Sequence, residues 1–452
     1  MENKTVPAVD EMLPTGRLFV LGLQHVMAMY AGAVAVPIII ANSLGLSNEE
    51  LIYLINADLL VGGIATIIQA LGVWKLGIRS PIMQGVSFAA VTPMVMVGAQ
   101  HGLRGIFGAT IAAGVIGFII SPYFSRLIRF FPPVVTGTII TLIGVSLLPV
   151  AVRWAGGGNT ADPNFGNLQA VGLAFAVLLF VILVFRFFTG FFQSIAVLLG
   201  LIVGTIVAIP LGMTNFSQVA TASWFGLILP FNFGLPIFDL ASILAMTLAM
   251  LVIMTETTGD MIAVGEIVEK PVDREGLTRG LRADCFSTIL GGVMNTFPHS
   301  AFAQNVGLLA LTGIRSRFVV VAAGIILGAL GLFPKAAAVV AAIPQPVLGG
   351  AGIALFGMVA ASGIRTLSKV KFDGNNNSMI VAISLGLGLI PLAAPDFYHY
   401  MPDWAQLILH SGITAGSIAA IILNYFFNET GKKDEDAGES GERVDGELGF
   451  EH

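Results

Sequence analysis

The chain has 452 residues, 56% of them hydrophobic and only 11% charged, with a mean hydropathy of +0.88. Soluble domains carry about 25% charged residues, so a water-soluble globule of ordinary kind is excluded, and near-continuous apolar runs exclude a β-barrel, whose strands alternate. The net charge of −5 resides in Gly431 to His452, where eight acidic residues stand against three basic ones.

These observations indicate an all-α polytopic membrane protein, and its 54 glycines suit close helix packing in a bilayer. The stretch Met1 to Gly16 is polar, and the first apolar run is long enough to remain as a span rather than be cleaved. In chain order the apolar runs predict spans at 18–40, 51–73, 82–98, 105–121, 134–152, 168–185, 191–211, 240–262, 280–294, 299–313, 318–338, 347–363, 378–394 and 404–427. The runs that begin at 82 and 299 are shorter than the ~20 residues of a full crossing. The segment 431–452 has almost no apolar residues and is expected to be a disordered acidic tail.

Fourteen spans place both termini on one side. With the N-terminus cytoplasmic, nineteen Lys and Arg fall on inner segments, and only Arg104, Arg153 and Lys335 fall outside. That asymmetry obeys the positive-inside rule and supports both the count and the orientation. The single Cys285 excludes an internal disulfide and a Cys-built metal site. No metal and no cofactor is expected.

The two short spans resemble each other. Ser80-Pro81-Ile82-Met83-Gln84-Gly85-Val86-Ser87-Phe88 stands against Phe297-Pro298-His299-Ser300-Ala301-Phe302-Ala303-Gln304-Asn305. The two prolines are 217 residues apart, and each biases its predecessor to an extended shape ahead of a helical run. Each short span is the third of a seven-span half, and seven is odd, so the second half is inverted. Inverted halves with matched broken segments point to a transporter site at the midplane. The half-helices would aim free N–H groups at one cavity.

Polar residues at membrane depth mark candidates for that site. An amide buried without a partner costs roughly 1–3 kcal/mol, so the adjacent Gln304 and Asn305, between Pro298 and Gly307, suggest a polar cavity. Glu256 lies mid-span between Thr255 and Thr257, with Asp260 four residues on and hence on the same face. Glu256 is the carboxylate placed to exchange a proton against a solute donor, as a symporter requires. Asp260 is either a structural anchor or functional. Asp58 and Asp284, near the ends of their runs, are either interfacial or functional. His25, after Gln24, either supports packing or contacts solute. Of the other histidines, His101, His399, His410 and His452 read as loop, interface or tail residues.

The run Gln304-Asn305-Val306-Gly307-Leu308-Leu309-Ala310-Leu311-Thr312 resembles the Q/E/P-N-x-G-x-x-x-x-T signature of the nucleobase–ascorbate transporter family. Glu256-Thr257-Thr258-Gly259-Asp260 is similar to that family's eighth-span motif, and Gln24-His25 to its first-span motif. The resemblance spans nearly the whole chain. It implies a 7+7 inverted repeat with short strands and half-helices in spans 3 and 10. The implied core domain is residues 18–133 and 240–340, and the implied gate domain is 134–239 and 341–430. Residues 1–17 form a cytoplasmic N-terminus and 431–452 the tail.

The resemblance further implies a homodimer in the bacterial inner membrane, with both termini cytoplasmic. It implies uptake of a nucleobase with protons by an elevator-like movement of the core, with no nucleic-acid partner. Substrate binding is implied at Glu256, Gln304, Phe88, Phe302, Ser87 and Ser300. Proton coupling or support of the site is implied at His25, Asp260, Asp284, Asn305, Gly307 and Thr312. Gln304, where uracil-type members have Glu, resembles the xanthine and uric acid branch. An amide donates and accepts side by side, which suits a xanthine-like edge. Gly313 stands where many eukaryotic purine members have Arg or Lys.

Alternatives are a symporter of uracil or another nucleobase, an anion carrier of the same 7+7 architecture, a channel, and an intramembrane enzyme. An anion carrier is disfavoured by a carboxylate, rather than Lys or Arg, at mid-span. A channel is disfavoured by the inverted broken helices, and an enzyme by the absence of H-E-x-x-H or G-x-S-x-G.

Overall fold

The computed structural model describes residues 7–127, 130–373 and 376–429. The start of the N-terminal segment (1–6) and the acidic tail 431–452 lie outside the described residues. Seventeen helices are described among them: α1 (Thr15–Leu44), α2 (Asn48–Leu71), α3 (Val91–Leu127), α4 (Pro133–Ala155), α5 (Leu168–Phe187), α6 (Phe191–Ser194), α7 (Ala196–Ala208), α8 (Ser217–Thr221), α9 (Leu240–Ile267), α10 (Arg274–Val293), α11 (Ala303–Thr312), α12 (Arg317–Leu330), α13 (Pro334–Ala341), α14 (Gln345–Leu367), α15 (Asn377–Ala393), α16 (Asp403–Leu409) and α17 (Gly412–Asn424). Two strands, β1 (Gln84–Val86) and β2 (His299–Ala301), complete the described elements that build the site. Seven of these helices, namely α1–α5, α9 and α14, are long and apolar enough to cross a membrane, and the bent pair α12–α13 makes an eighth.

Several apolar runs are broken where local chemistry demands it. The run 82–98 starts as strand β1, and α3 then continues through the next run with a kink at Gly102 (φ 64°), a conformation glycine adopts without Cβ strain. The run 191–211 divides at Ile195 into α6 and α7. The run 318–338 bends by 81° ahead of Pro334, which sits at the first turn of α13, where its missing N–H costs nothing. The run 404–427 divides at Ser411, whose side chain accepts from Thr414 N and caps α17. Helix α10 begins six residues before the apolar run at 280, because Asp273 caps it by accepting from Gly276 N at 2.7 Å. Charged residues in its first two turns hide that start from hydropathy.

The two halves pack in a pattern that survives their exchange. Helix α2 lies on α12 and α10 lies on α3, two interfaces that swap when α2 is exchanged with α10 and α3 with α12. The pairs α5–α14 and α15–α4, and likewise α5–α7 and α15–α17, exchange in the same way. Helices α4 and α14 meet each other directly and run antiparallel: Gly349 abuts Ala155 at one end, Gly144 abuts Ala360, and Gly363 abuts Thr141 at the other. Small residues there let backbones approach, which supplies the dispersion contact that holds helices together in lipid.

The strands pair antiparallel, with Gln84 opposite Ala301, Gly85 opposite Ser300 and Val86 opposite His299. The proline match therefore needs adjusting. The strand begins three residues after Pro81 but one residue after Pro298, so the halves correspond here at a spacing two residues shorter than the prolines suggest. Side-chain hydroxyls from neighbouring helices satisfy the strand edges. Thr66 Oγ1 accepts from Gln84 N at 2.9 Å, Thr288 Oγ1 from His299 N at 3.3 Å, and Thr257 Oγ1 from Ala301 N at 3.1 Å. At this depth no water would otherwise do so. On the outer rim of this region Arg315 binds Glu269 at 2.8 Å, tying the end of α9 to the end of α11 and holding that carboxyl below its usual range.

Candidate functional site between the half-helices

A cavity of about 230 Å³ lies where β2 and α11 face α9 and α14. It is smaller than the roughly 300–1,000 Å³ of sites for drug-sized ligands and suits a small planar solute. Glu256, Gln304, Phe88, Phe302, Ser300 and Gly307 all line it. These come from α9, α11, β2 and the turn after β1, so the fold gathers residues from both halves. Neither the Glu256 carboxylate nor the Gln304 carboxamide has a hydrogen-bond or ion-pair partner among the described residues. Both polar groups are thus available to a solute.

Local structure explains how each is held. Thr257 anchors β2, while Thr255 and Thr258 return their hydroxyls to the helix carbonyls of Leu251 and Met254. That leaves Glu256 as the member of the motif that faces the cavity. Helix α11 starts at Ala303 without a side-chain cap from Phe302, so its first N–H groups and its positive dipole end open beside Gln304. The ring of Phe302 is wedged between two glycines: a Cβ on Gly32 would fall 2.8 Å from its Cζ, and one on Gly85 would fall 2.7 Å from its Cδ2.

The other predicted residues do not share this cavity. Asn305 turns the opposite way, donating from Nδ2 to the His25 carbonyl at 2.9 Å and lying 3.1 Å from His25 Nδ1. An amide N–H can only donate, so Nδ1 is the acceptor and the imidazole proton sits on Nε2. This contact ties α11 to α1. Asp284 accepts from Gln69 Nε2 at 3.0 Å and is wholly buried, and Asp58 is 2% exposed, so both are enclosed by protein. Asp260 does not line the cavity, and its Oδ2 is buried without a partner among the described residues. Ser87 caps the turn after β1 by accepting from Ala89 N. Thr312 donates to the Leu308 carbonyl at 3.0 Å, in the last turn of α11.

Three features were not foreseen. Asp58 accepts from Thr296 at 2.8 Å and lies 3.5 Å from His299 Nε2, a buried cluster joining α2 to β2. Gln84, in β1, is buried, and its side chain reaches the Asp284 carboxyl. The far wall of the cavity is Ile140 of α4 with Met358, Val359, Ser362 and Arg365 of α14, so an arginine also borders the site.

Comparison with known proteins bears on this geometry. Residues 16–397 match the sequence model of a group described as the Permease family. The chain is 47% identical over 94% of its length to a uric acid transporter of Escherichia coli, covering 89% of that protein. It is 45% identical over 95% of its length to a nucleobase transporter of Paenibacillus larvae, covering 98% of it. It is 43% identical over 91% of its length to a xanthine permease of Bacillus subtilis, covering 94% of it. Among solved structures the fold is similar to the transmembrane domain of a cyanobacterial bicarbonate transporter (TM-score 0.59, 15% identity), covering 91% of this chain and 100% of that one. It is also similar to a murine anion transporter in its inward-facing state (TM-score 0.56, 12% identity), covering 93% of this chain and 70% of that one. With its polytopic helices, this is a multi-pass membrane transport protein rather than an enzyme, and the chain belongs to the permease family of nucleobase–ascorbate transporters.

Proposed function

We propose that this protein carries an oxidised purine nucleobase, xanthine or uric acid, across the bacterial cytoplasmic membrane together with protons. One observation carries the reading: a carboxylate, Glu256, and a carboxamide, Gln304, both without partners among the described residues, border a single small cavity beside two phenylalanine rings. A purine edge offers alternating N–H and C=O groups. Glu256 accepts ring N–H bonds, and charge-assisted bonds of this kind are roughly twice as strong as neutral ones. Gln304 pairs with an N–H/C=O edge, and Phe88 or Phe302 covers a ring face. Relatives that transport uric acid and xanthine support the same reading.

The architecture in this proposal is fourteen spans in a 7+7 inverted repeat. Spans 1–4 and 8–11 form the core, and spans 5–7 and 12–14 form the gate. The exchange-symmetric packing described above supports it. The cavity has one wall of core elements and one of gate helices, so sliding the core against the gate would move the solute between faces. Homodimer formation and cytoplasmic termini belong to the same proposal.

The test is competition in cells or proteoliposomes. Uptake of radiolabelled xanthine or urate is expected to be blocked by the other oxidised purine, spared by uracil, and abolished by a protonophore. Inhibition by bicarbonate or sulfate but not by purines would favour the anion-carrier alternative.

A further inference from the structure

Two arginines stand at opposite ends of the antiparallel α4–α14 pair. Arg153 is the twenty-first residue of the 23-residue α4, and Arg365 the twenty-first of the 23-residue α14. They are therefore counterparts when the halves exchange. With 1.5 Å of rise per residue, the contacts between the two helices set them roughly 20 Å apart along the axis. Neither guanidinium has a hydrogen-bond or ion-pair partner among the described residues.

Each borders its own cavity. Arg365, with Ser362 three residues before it, borders the site cavity. Arg153, with Val150 three residues before it, borders a second cavity of about 380 Å³. That second cavity is the more polar in its chemistry, with Asn42 and Ser43 from the end of α1 and Gln345 from the first position of α14. The Gln345 Oε1 is buried and unpartnered among the described residues.

An aromatic relay separates the two cavities. Phe88, which borders the site, meets Phe356 edge-on at 6.0 Å, and Phe356 meets Trp154, which borders the second cavity, at 6.4 Å. Around Phe356 the free space falls to about 20 Å³, room for one water and not for a solute.

We propose that the Arg153 cavity is a second solute-binding site, a capture station on the face opposite the Arg365 mouth, for a planar anionic purine such as the urate monoanion. This rests on the purine reading above. The guanidinium fork matches an anionic N–C–O edge bidentately, the Gln345 amide oxygen accepts a ring N–H, and Trp154 backs the ring. Arg365 plays the corresponding part at the other mouth.

The test uses the full-length protein in sided vesicles, measuring KM for urate separately from each face. Arg153→Gln is expected to raise the urate KM about tenfold from the Arg153 face and to leave it unchanged from the Arg365 face. Arg153→Lys is expected to recover part of the loss. Xanthine at a pH where it is neutral is expected to change less than threefold. Equal KM changes from both faces, or none, would overturn the proposal while urate transport itself upheld the purine reading. Failure of the wild-type protein to carry any purine would overturn both. A second readout needs no variant. Equilibrium dialysis of wild-type protein with radiolabelled urate is expected to find two sites per chain, the weaker one lost at high salt. One site only, insensitive to salt, would contradict it.

Discussion

Glu256→Gln is expected to raise the KM for xanthine or urate by at least tenfold and to remove the acceleration of uptake by an inward proton gradient. The substitution keeps the shape of the side chain and its one carbonyl acceptor but removes the charge. A hydrogen bond to a charged group contributes about 1.5–3 kcal/mol, and each 1.4 kcal/mol is tenfold in affinity. The effect falls on the solute rather than on the protein, because Glu256 has no partner among the described residues whose loss would destabilise the fold. Uptake assayed across a range of external pH, with thermal stability measured alongside, separates the two. Wild-type KM together with intact gradient-driven accumulation would remove Glu256 from both of its assigned parts.

The second large effect comes from a residue that never touches solute. Gly32→Ala places a methyl group 2.8 Å from Phe302 Cζ, closer than carbon atoms approach. On its other side the ring lies so near the Gly85 backbone that a Cβ there would fall 2.7 Å from Phe302 Cδ2. It must therefore move into the cavity. Overpacking of this kind costs about 1–3 kcal/mol, and here much of it is expected to appear as weakened purine binding. Gly32→Ala should raise KM about tenfold, and Gly32→Ala with Phe302→Leu should recover much of the loss, giving a large coupling energy in a double-mutant cycle. Additive effects of the two substitutions would show that Gly32 acts elsewhere.

How much of this was legible beforehand depended on range. Long apolar runs report lipid contact residue by residue, so α1, α2, α4 and α9 were readable as spans. Breaks such as Ile195 and the α12–α13 bend were not, because hydropathy is blind to backbone direction. Glu256, Gln304 and the strand segments around Gly85 and Ser300 were legible because each is a polar or bent feature in an apolar setting. The contact between Asp58 and His299 was not: it joins residues 241 positions apart, and in sequence Asp58 looked like a residue near a helix end. Arg365 escaped for a related reason. It sits in the last turn of its helix, where an arginine ordinarily faces the membrane surface, and only the folded chain shows that it borders the same cavity as Gln304.

The central claim is that a purine lies between Glu256 and Gln304. The most direct measurement is an electron cryomicroscopy structure of the protein with xanthine or urate at saturating concentration. The account predicts planar density within hydrogen-bonding distance of both side chains, with a face against Phe88 or Phe302. Purine density elsewhere in the chain, with Glu256 and Gln304 untouched, would contradict it.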